Sequence, residues 1–266
     1  MSATFASGLM TDLTGKVAVV TGAGNESGLA LALHAADRGM KVALADSDPS
    51  LLRAAHERVK AKHVETLADC TQQFDLAAVR KLARRIEAEL GPPWLVCNSG
   101  GATIESNLWA VINGVQVFTP GMVMRATGHI VNIASEDLFC IRGAAVDIAV
   151  GHAIVGLSES LYRELDSIRS PVGVTVVCPA PINTNVTDAS RPMRLPARDA
   201  GLRVVPPEEL AQRIFAAIER REFRLSSRAP QMRETTHASA DAASGNRAGR
   251  RDHRERAQSL AGALPF

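Results

Sequence analysis

The chain has 266 residues, of which 46% are hydrophobic and 22% charged, with a formal net charge of +2. That length suits one large α/β domain or two small ones, and so balanced a charge provides no field to draw nucleic acid or an anionic membrane. No run reaches ~18 apolar residues, so no membrane span is expected. The opening MSATFASGLMTDLTGK lacks the basic start and apolar centre of a secretory signal, so the expected location is the cytoplasm.

The elements alternate. Val17 to Thr21 (VAVVT) is apolar throughout, as a strand covered on both faces should be. It turns through Gly22-Ala23-Gly24 into a helix predicted over Gly28 to Arg38 and closed by Gly39. A second strand, Lys41 to Ala45, ends at Asp46, and Pro49 opens a helix to about Lys60. A third strand is predicted over Val64 to Leu67, ending at Asp69, then a helix from Leu76 to Leu90 stopped by Gly91-Pro92-Pro93. Trp94 to Asn98 and Ile130 to Ala134 read as the fourth and fifth strands, with a helix over Asn107 to Arg125 between them. A long helix, Val146 to Ile168, leads to the sixth strand, Gly173 to Cys178. Pro207-Glu208-Glu209 opens a helix to about Arg220, and Phe223 to Leu225 is a last short strand. Strand and helix alternating at this spacing predict an α/β fold, a doubly wound parallel sheet with helices on both faces. The expected organisation is one domain over 1–225, followed by a polar, loosely docked tail over 226–266.

The four cysteines, Cys70, Cys97, Cys140 and Cys178, show no C-x-x-C spacing and are expected to be buried free thiols, with no metal site. All five lysines (Lys16, Lys41, Lys60, Lys62, Lys81) lie in the first third, and none occurs after residue 81.

The most informative motif is the turn T21-G-A-G-N-E-S-G28. Glycines after a strand let a pyrophosphate approach the backbone, and the helix start offers unpaired N–H groups and a positive dipole end. Gly22, Asn25 and Gly28 are therefore candidate cofactor contacts, joined by Asp46, placed where a carboxylate reaches a ribose 2′-hydroxyl. Asp46 would repel a 2′-phosphate and the turn has no cation, so NAD is favoured over NADP.

With these residues in place the sequence resembles the short-chain dehydrogenase/reductase family, in order, over about residues 12 to 225. D-L-T-G-K-V-A-V-V-T-G resembles the family's opening, and Asp69, with Cys70 beside it, its adenine-contacting aspartate. C97-N-S-G100 resembles the N-N-A-G segment, which implies cofactor-side roles for Asn98 and Gly100. N107-L-W-A-V-I-N-G resembles the segment with the active-site asparagine, mapped to Asn107, and G128-H-I-V-N-I-A-S135 the strand with the catalytic serine, Ser135. H152-A-I-V-G-L-S-E-S-L-Y-R-E-L resembles the long active-site helix, and G173-V-T-V-V-C-P179 with Ile182 and Thr184 the nicotinamide-side loop. The resemblance implies a Rossmann-type domain and NAD-linked oxidation or reduction of an alcohol or carbonyl. It also implies oligomers formed through the helices over Asn107–Arg125 and Val146–Ile168, with itself or a related subunit.

Three departures qualify this. The middle glycine of the turn is Glu26. Two like charges ~4 Å apart at an effective dielectric of ~20 repel by about 4 kcal/mol, roughly a thousandfold in affinity at the upper end, so dinucleotide binding should be weakened. Only G101-A-T-I-E-S106 separates Asn-Ser-Gly from Asn107, shorter than the family's segment by most of a helix. The family's tyrosine, which shuttles a proton, and its lysine four residues on, which lowers the phenol's pKa, map to Asp147 and Gly151. Tyr162, the one tyrosine, lies four turns further along the helix. Asp147, ionised at neutral pH with a reference pKa of ~3.9, is a poor proton donor there. His152, five residues from Asp147, faces elsewhere on the helix, so Ser135, Asp147 and His152 make no triad. The expectation is an NAD(H)-linked oxidoreductase by resemblance with weak or absent turnover, its catalytic candidates Ser135, Asn107 and Asp147. The alternative is a non-catalytic binding or scaffolding subunit.

Overall fold

The structure, a computed structural model, describes residues 12–101, 104–134, 145–178 and 205–226. Seven parallel strands form one sheet in the order β3-β2-β1-β4-β5-β6-β7. They are β1 (Val17–Thr21), β2 (Lys41–Asp46), β3 (Thr66–Cys70), β4 (Pro93–Ser99), β5 (His129–Ile133), β6 (Gly173–Cys178) and β7 (Arg224–Ser226). The strand order turns back between β1 and β4, so the crevice outside their carboxyl ends is where such a sheet accepts a ligand.

Period two along β1 divides the core. Ala18 and Val20 join Leu31, Leu52, Ile214 and Phe215 under α1 (Glu26–Asp37), α2 (Pro49–Lys60) and α6 (Pro207–Arg220). Val17 and Val19 join Val79, Val111 and Ile154 under α3 (Leu76–Glu89), α4 (Ala110–Met124) and α5 (Ala145–Ser167). The doubly wound sheet read from the sequence is the observed fold. Among the described residues no helix is long and apolar enough to cross a membrane.

Most boundaries fall where the sequence puts them; three differ for local reasons. α1 starts at Glu26 rather than Gly28, because the Asn25 side chain caps the helix by accepting from the Gly28 N–H at 2.7 Å. β3 begins two residues late, after His63 takes a left-handed turn (φ 59°), and runs on to Cys70 in register with Asp46. The helix before β5 opens with a π-helical turn, Glu105–Trp109, before α4. Such turns cluster at functional sites. The polar tail beyond 226 lies outside the described residues.

A chain of buried side chains ties the layers together. Asn98 Nδ2 donates to Asn132 Oδ1 (2.9 Å), Asn132 Nδ2 to Ser158 Oγ (3.0 Å), and Ser158 Oγ to the Ile154 carbonyl (2.7 Å). This anchors α5 across β5 to β4. Gly114 leaves the space Asn98 needs: a Cβ there would lie 2.0 Å from Asn98 Oδ1. At the sheet's amino edge, His129 is buried with Nε2 2.8 Å from Thr175 Oγ1, which itself donates to the Glu222 carbonyl at 2.7 Å. Since the threonine hydrogen goes to Glu222, His129 is the donor to Thr175 and carries its proton on Nε2.

Candidate functional site

At the carboxyl edge of the sheet the turn after β1 folds against the ends of β2 and β4. Gly22 has φ 62°, and a Cβ on it would stand 2.0 Å from the Ser99 carbonyl oxygen. A Cβ on Gly28 would stand 2.2 Å from the Gly22 carbonyl oxygen. A Cβ on Gly24 would press on Leu51 and Asp46, at 2.7 and 2.9 Å. All three glycines are thus required by the chain's own packing. Asn25, besides capping α1, donates from Nδ2 to Ser99 Oγ at 3.1 Å, so the turn is tied to β4.

Two carboxylates stand on neighbouring strand ends. Asp46 accepts from the Gly24 N–H on Oδ2 (2.8 Å) and from the Asp48 N–H on Oδ1 (2.9 Å). Asp69, one strand over, accepts from Arg85 Nη1 on Oδ2 (2.7 Å) and from the Thr71 hydroxyl on Oδ1. Every carboxylate oxygen keeps a further lone pair, so both groups are anchored acceptors. Arg85 also bridges to Glu89 at 2.7 Å, and these two partners hold its guanidinium above its ordinary pKa. Sequence reasoning missed Arg85 and Thr71. Arg85 and Glu89 stand four apart on α3, which reads as an ordinary surface pair.

The β4 side is equally close. A Cβ on Gly100 would lie 2.4 Å from Asn107 Oδ1, so Asn107 sits against the Asn-Ser-Gly segment. The Gly101 N–H donates to the Ser106 carbonyl at 2.8 Å, holding the end of the Asn-Ser-Gly segment against the π-helical turn. Just beyond, Asn113 Nδ2 donates to the Gln73 carbonyl at 2.9 Å, joining α4 to the loop after β3. Gly22, Asn25, Gly28, Asp46, Asp69, Cys70, Asn98, Gly100 and Asn107 are therefore brought to one edge. Asn98 itself is fully buried in the Asn132 chain, and its Oδ1 has no hydrogen-bond partner among the described residues.

Ser135, Ile182, Thr184 and the side chain of Asp147 lie outside the described residues. Position 147 falls within α5, and Gly151, one turn on, is buried. His152 is exposed, with Nδ1 2.8 Å from the Ile148 carbonyl. Tyr162 is 45% exposed and packs on Phe223 (ring centroids 4.7 Å), far along α5 from position 147.

The cysteines correct one expectation. Cys97 and Cys178 are buried free thiols, Cys97 pushed up to about 12 by burial, but Cys70 is exposed at the end of β3 beside the Ser47 carbonyl. Cys140 lies outside the described residues. Among the described residues no three His, Cys, Asp or Glu side chains converge to hold a metal ion.

Glu26 stands at the first position of α1, partly buried. It borders a hollow of about 230 Å³ shared with Leu33 of α1, Arg58 of α2 and Pro207 and Glu208 of α6.

A family model described as short chain dehydrogenase matches residues 16–195. The chain is 32% identical over 194 residues to the protein SadH of Mycobacterium tuberculosis, spanning 66% of this chain and 70% of that one. It is 29% identical over 221 residues to the 1-deoxy-11-beta-hydroxypentalenate dehydrogenase of Streptomyces avermitilis, spanning 76% and 80%. A solved short chain dehydrogenase/reductase from Burkholderia phymatum, in complex with NAD, superposes with a TM-score of 0.73 at 30% identity, over 82% of this chain and 90% of that one.

Proposed function

The chain belongs to the short-chain dehydrogenase family, and from that premise we propose an NAD(H)-linked oxidoreductase fold whose turnover on alcohols or carbonyls is weak or absent. The observation that carries the cofactor half is Asp46, anchored by two backbone N–H groups at the end of β2 and offering acceptors to a ribose diol. Its negative charge favours NAD over NADP, because a 2′-phosphate there meets a carboxylate and the turn from Thr21 to Gly28 holds no arginine or lysine to offset it. The NAD in the Burkholderia phymatum relative supports a nicotinamide dinucleotide as the ligand class.

The residues fit that dinucleotide only in part. Asp46 and Asp69 suit its adenosine. Glu26 does not suit its phosphates, and the turn's surviving glycines are accounted for by internal packing. On the chemical side, Asp147 and Gly151 stand where the resemblance places a proton-donating tyrosine and its lysine. Losing a general acid typically removes about 10²–10⁴ in rate. Asn107 against Gly100, with Ser135, is left to orient a substrate oxygen, and the tyrosine and lysine that the resemblance calls for are replaced at 147 and 151.

A non-catalytic subunit, pairing with itself or a related chain, is the second reading. Exposed apolar side chains on the elements it would use favour it: Trp109, Met124 and Val146 are 50%, 48% and 57% exposed. The free thiols of Cys70, Cys97 and Cys178 support placing the chain in the cytoplasm. The test is NADH titration by calorimetry, followed by turnover with a panel of alcohols and carbonyls. The expected result is weak NADH binding and turnover at background; micromolar NADH affinity with turnover would contradict it, and no NADH binding at millimolar concentration would remove the dinucleotide reading.

A further inference from the structure

The cleft at the β1–β4 switch is divided into two unlike halves. Its nucleoside half is built and held before any ligand arrives: Asp46 by Gly24 and Asp48, Asp69 by Thr71 and Arg85. Leu51, 51% exposed, adds an apolar surface beside Gly24, where an added Cβ would come within 2.7 Å of it. Two acceptor carboxylates beside an apolar side chain suit the chemistry of neutral donors, such as ribose hydroxyls and an exocyclic amine, on an apolar body.

The phosphate half is different. Asn25 Oδ1 already takes the Gly28 N–H, one of the few free donors at the start of α1. Glu26 puts a carboxylate into the first turn, where an anion would otherwise meet the positive end of the helix. Of the two basic side chains between Thr21 and Leu52 apart from histidine, Lys41 pairs with Glu65 at the opposite edge of the sheet and Arg38 pairs with Glu219 behind α1. The hollow bordering Glu26 is lined by one guanidinium, Arg58, and two carboxylates, Glu26 and Glu208. The two family glycines that survive, Gly22 and Gly28, are those whose Cβ would strike the protein's own backbone; the family's middle glycine is the one replaced.

Building on the family reading above, we infer that this cleft selects adenine nucleosides whose 5′ position is neutral or cationic, and disfavours those that carry phosphate there. In an ordinary dinucleotide cleft the phosphates add affinity, so ADP outbinds adenosine; here the order is reversed. The ligand class is an adenosine moiety without a 5′-phosphate, and Glu26 is the specificity-determining residue.

The test is calorimetry, on the full chain, with adenosine, AMP, ADP and NAD, for the natural protein and for Glu26→Gly and Glu26→Gln. The natural protein should bind adenosine at least about tenfold tighter than ADP. Glu26→Gly should strengthen ADP and NAD about a hundredfold and leave adenosine unchanged, since removal of a nearby like charge acts only on the anion. Glu26→Gln, which keeps the bulk, should recover most of that gain if charge is the cause. ADP binding tighter than adenosine in the natural protein overturns the inference and leaves the dinucleotide reading standing. Adenosine binding without NADH binding upholds it and removes the dinucleotide reading. No binding of adenosine at millimolar concentration also overturns it, as does a Glu26→Gly variant whose ADP affinity is unchanged.

Discussion

Gly22→Ala should lower the stability of the ligand-free protein by more than about 3 kcal/mol, enough to move thermal unfolding down by roughly 6–12 °C. Two costs add at this position. The backbone sits at φ 62°, a conformation that disfavours a side chain by about 1–2 kcal/mol. The new methyl would also stand 2.0 Å from the Ser99 carbonyl oxygen, and neither partner is the far end of a flexible side chain. Gly28→Ala should behave similarly, with its methyl 2.2 Å from the Gly22 carbonyl. Gly156→Ala is the contrast: that glycine is exposed on α5 with nothing within 4 Å of an added Cβ, so alanine should stabilise the helix by about 0.5–1 kcal/mol. Chemical unfolding of the three variants without nucleotide reads this directly. If Gly22→Ala matched the natural protein in stability, the turn would be looser than the packing requires, and its glycines would again speak for a phosphate.

Acid should destabilise the fold through His129. Burial holds its imidazole neutral, with the pKa lowered to about 3, and the nearby Arg221 adds to the shift. In the unfolded chain the same ring titrates near the usual ~6.5, so between the two values the unfolded state binds the extra proton. Stability is therefore full above about pH 6.5 and falls as the pH drops toward 3, by at most about 1.4 kcal/mol per pH unit from this residue. His34, half-buried and packed at a tilt against Phe215, is lowered chiefly by burial and adds a smaller contribution of the same sign. His129→Gln keeps a donor for Thr175 and does not titrate, so its unfolding free energy should fall less steeply between pH 6.5 and 4.5. Parallel slopes for the two proteins would show that the His129–Thr175–Glu222 chain opens before the ring is protonated.

The fold was legible because its signals are local and repeated. Apolar β-branched runs end at small or acidic residues, and Pro49, Gly39, Gly91 and Pro207 punctuate the helices near where they begin or end. Elements at the edge of the sheet were least legible. β3 pairs with β2 alone, so its span follows register with Asp46 rather than its own composition. The candidate site was legible as positions: Asp46, Asp69, Asn98, Gly100 and Asn107 all reach the carboxyl edge. Their partners were not. Nothing in the spacing of Arg85 tells of Asp69, sixteen residues away, and the Asn98–Asn132–Ser158 chain joins three segments through polar residues that are common in loops. Nor could the motif say why its glycines persist, since a close approach to phosphate and a close approach to the Ser99 backbone leave the same letters.

Under the proposed function the loss of chemistry is spread across the cleft rather than confined to two positions, and one kinetic experiment tests that most directly. Asp147→Tyr combined with Gly151→Lys restores the side chains the resemblance calls for. The buried setting of Gly151, the Gly101–Ser106 hydrogen bond and Glu26 all remain. Turnover of NADH with a panel of carbonyls should stay at background in the double variant, as in the natural protein. A rise of about 10²-fold or more from these two substitutions alone would contradict the account, because a recovered general acid would then be sufficient.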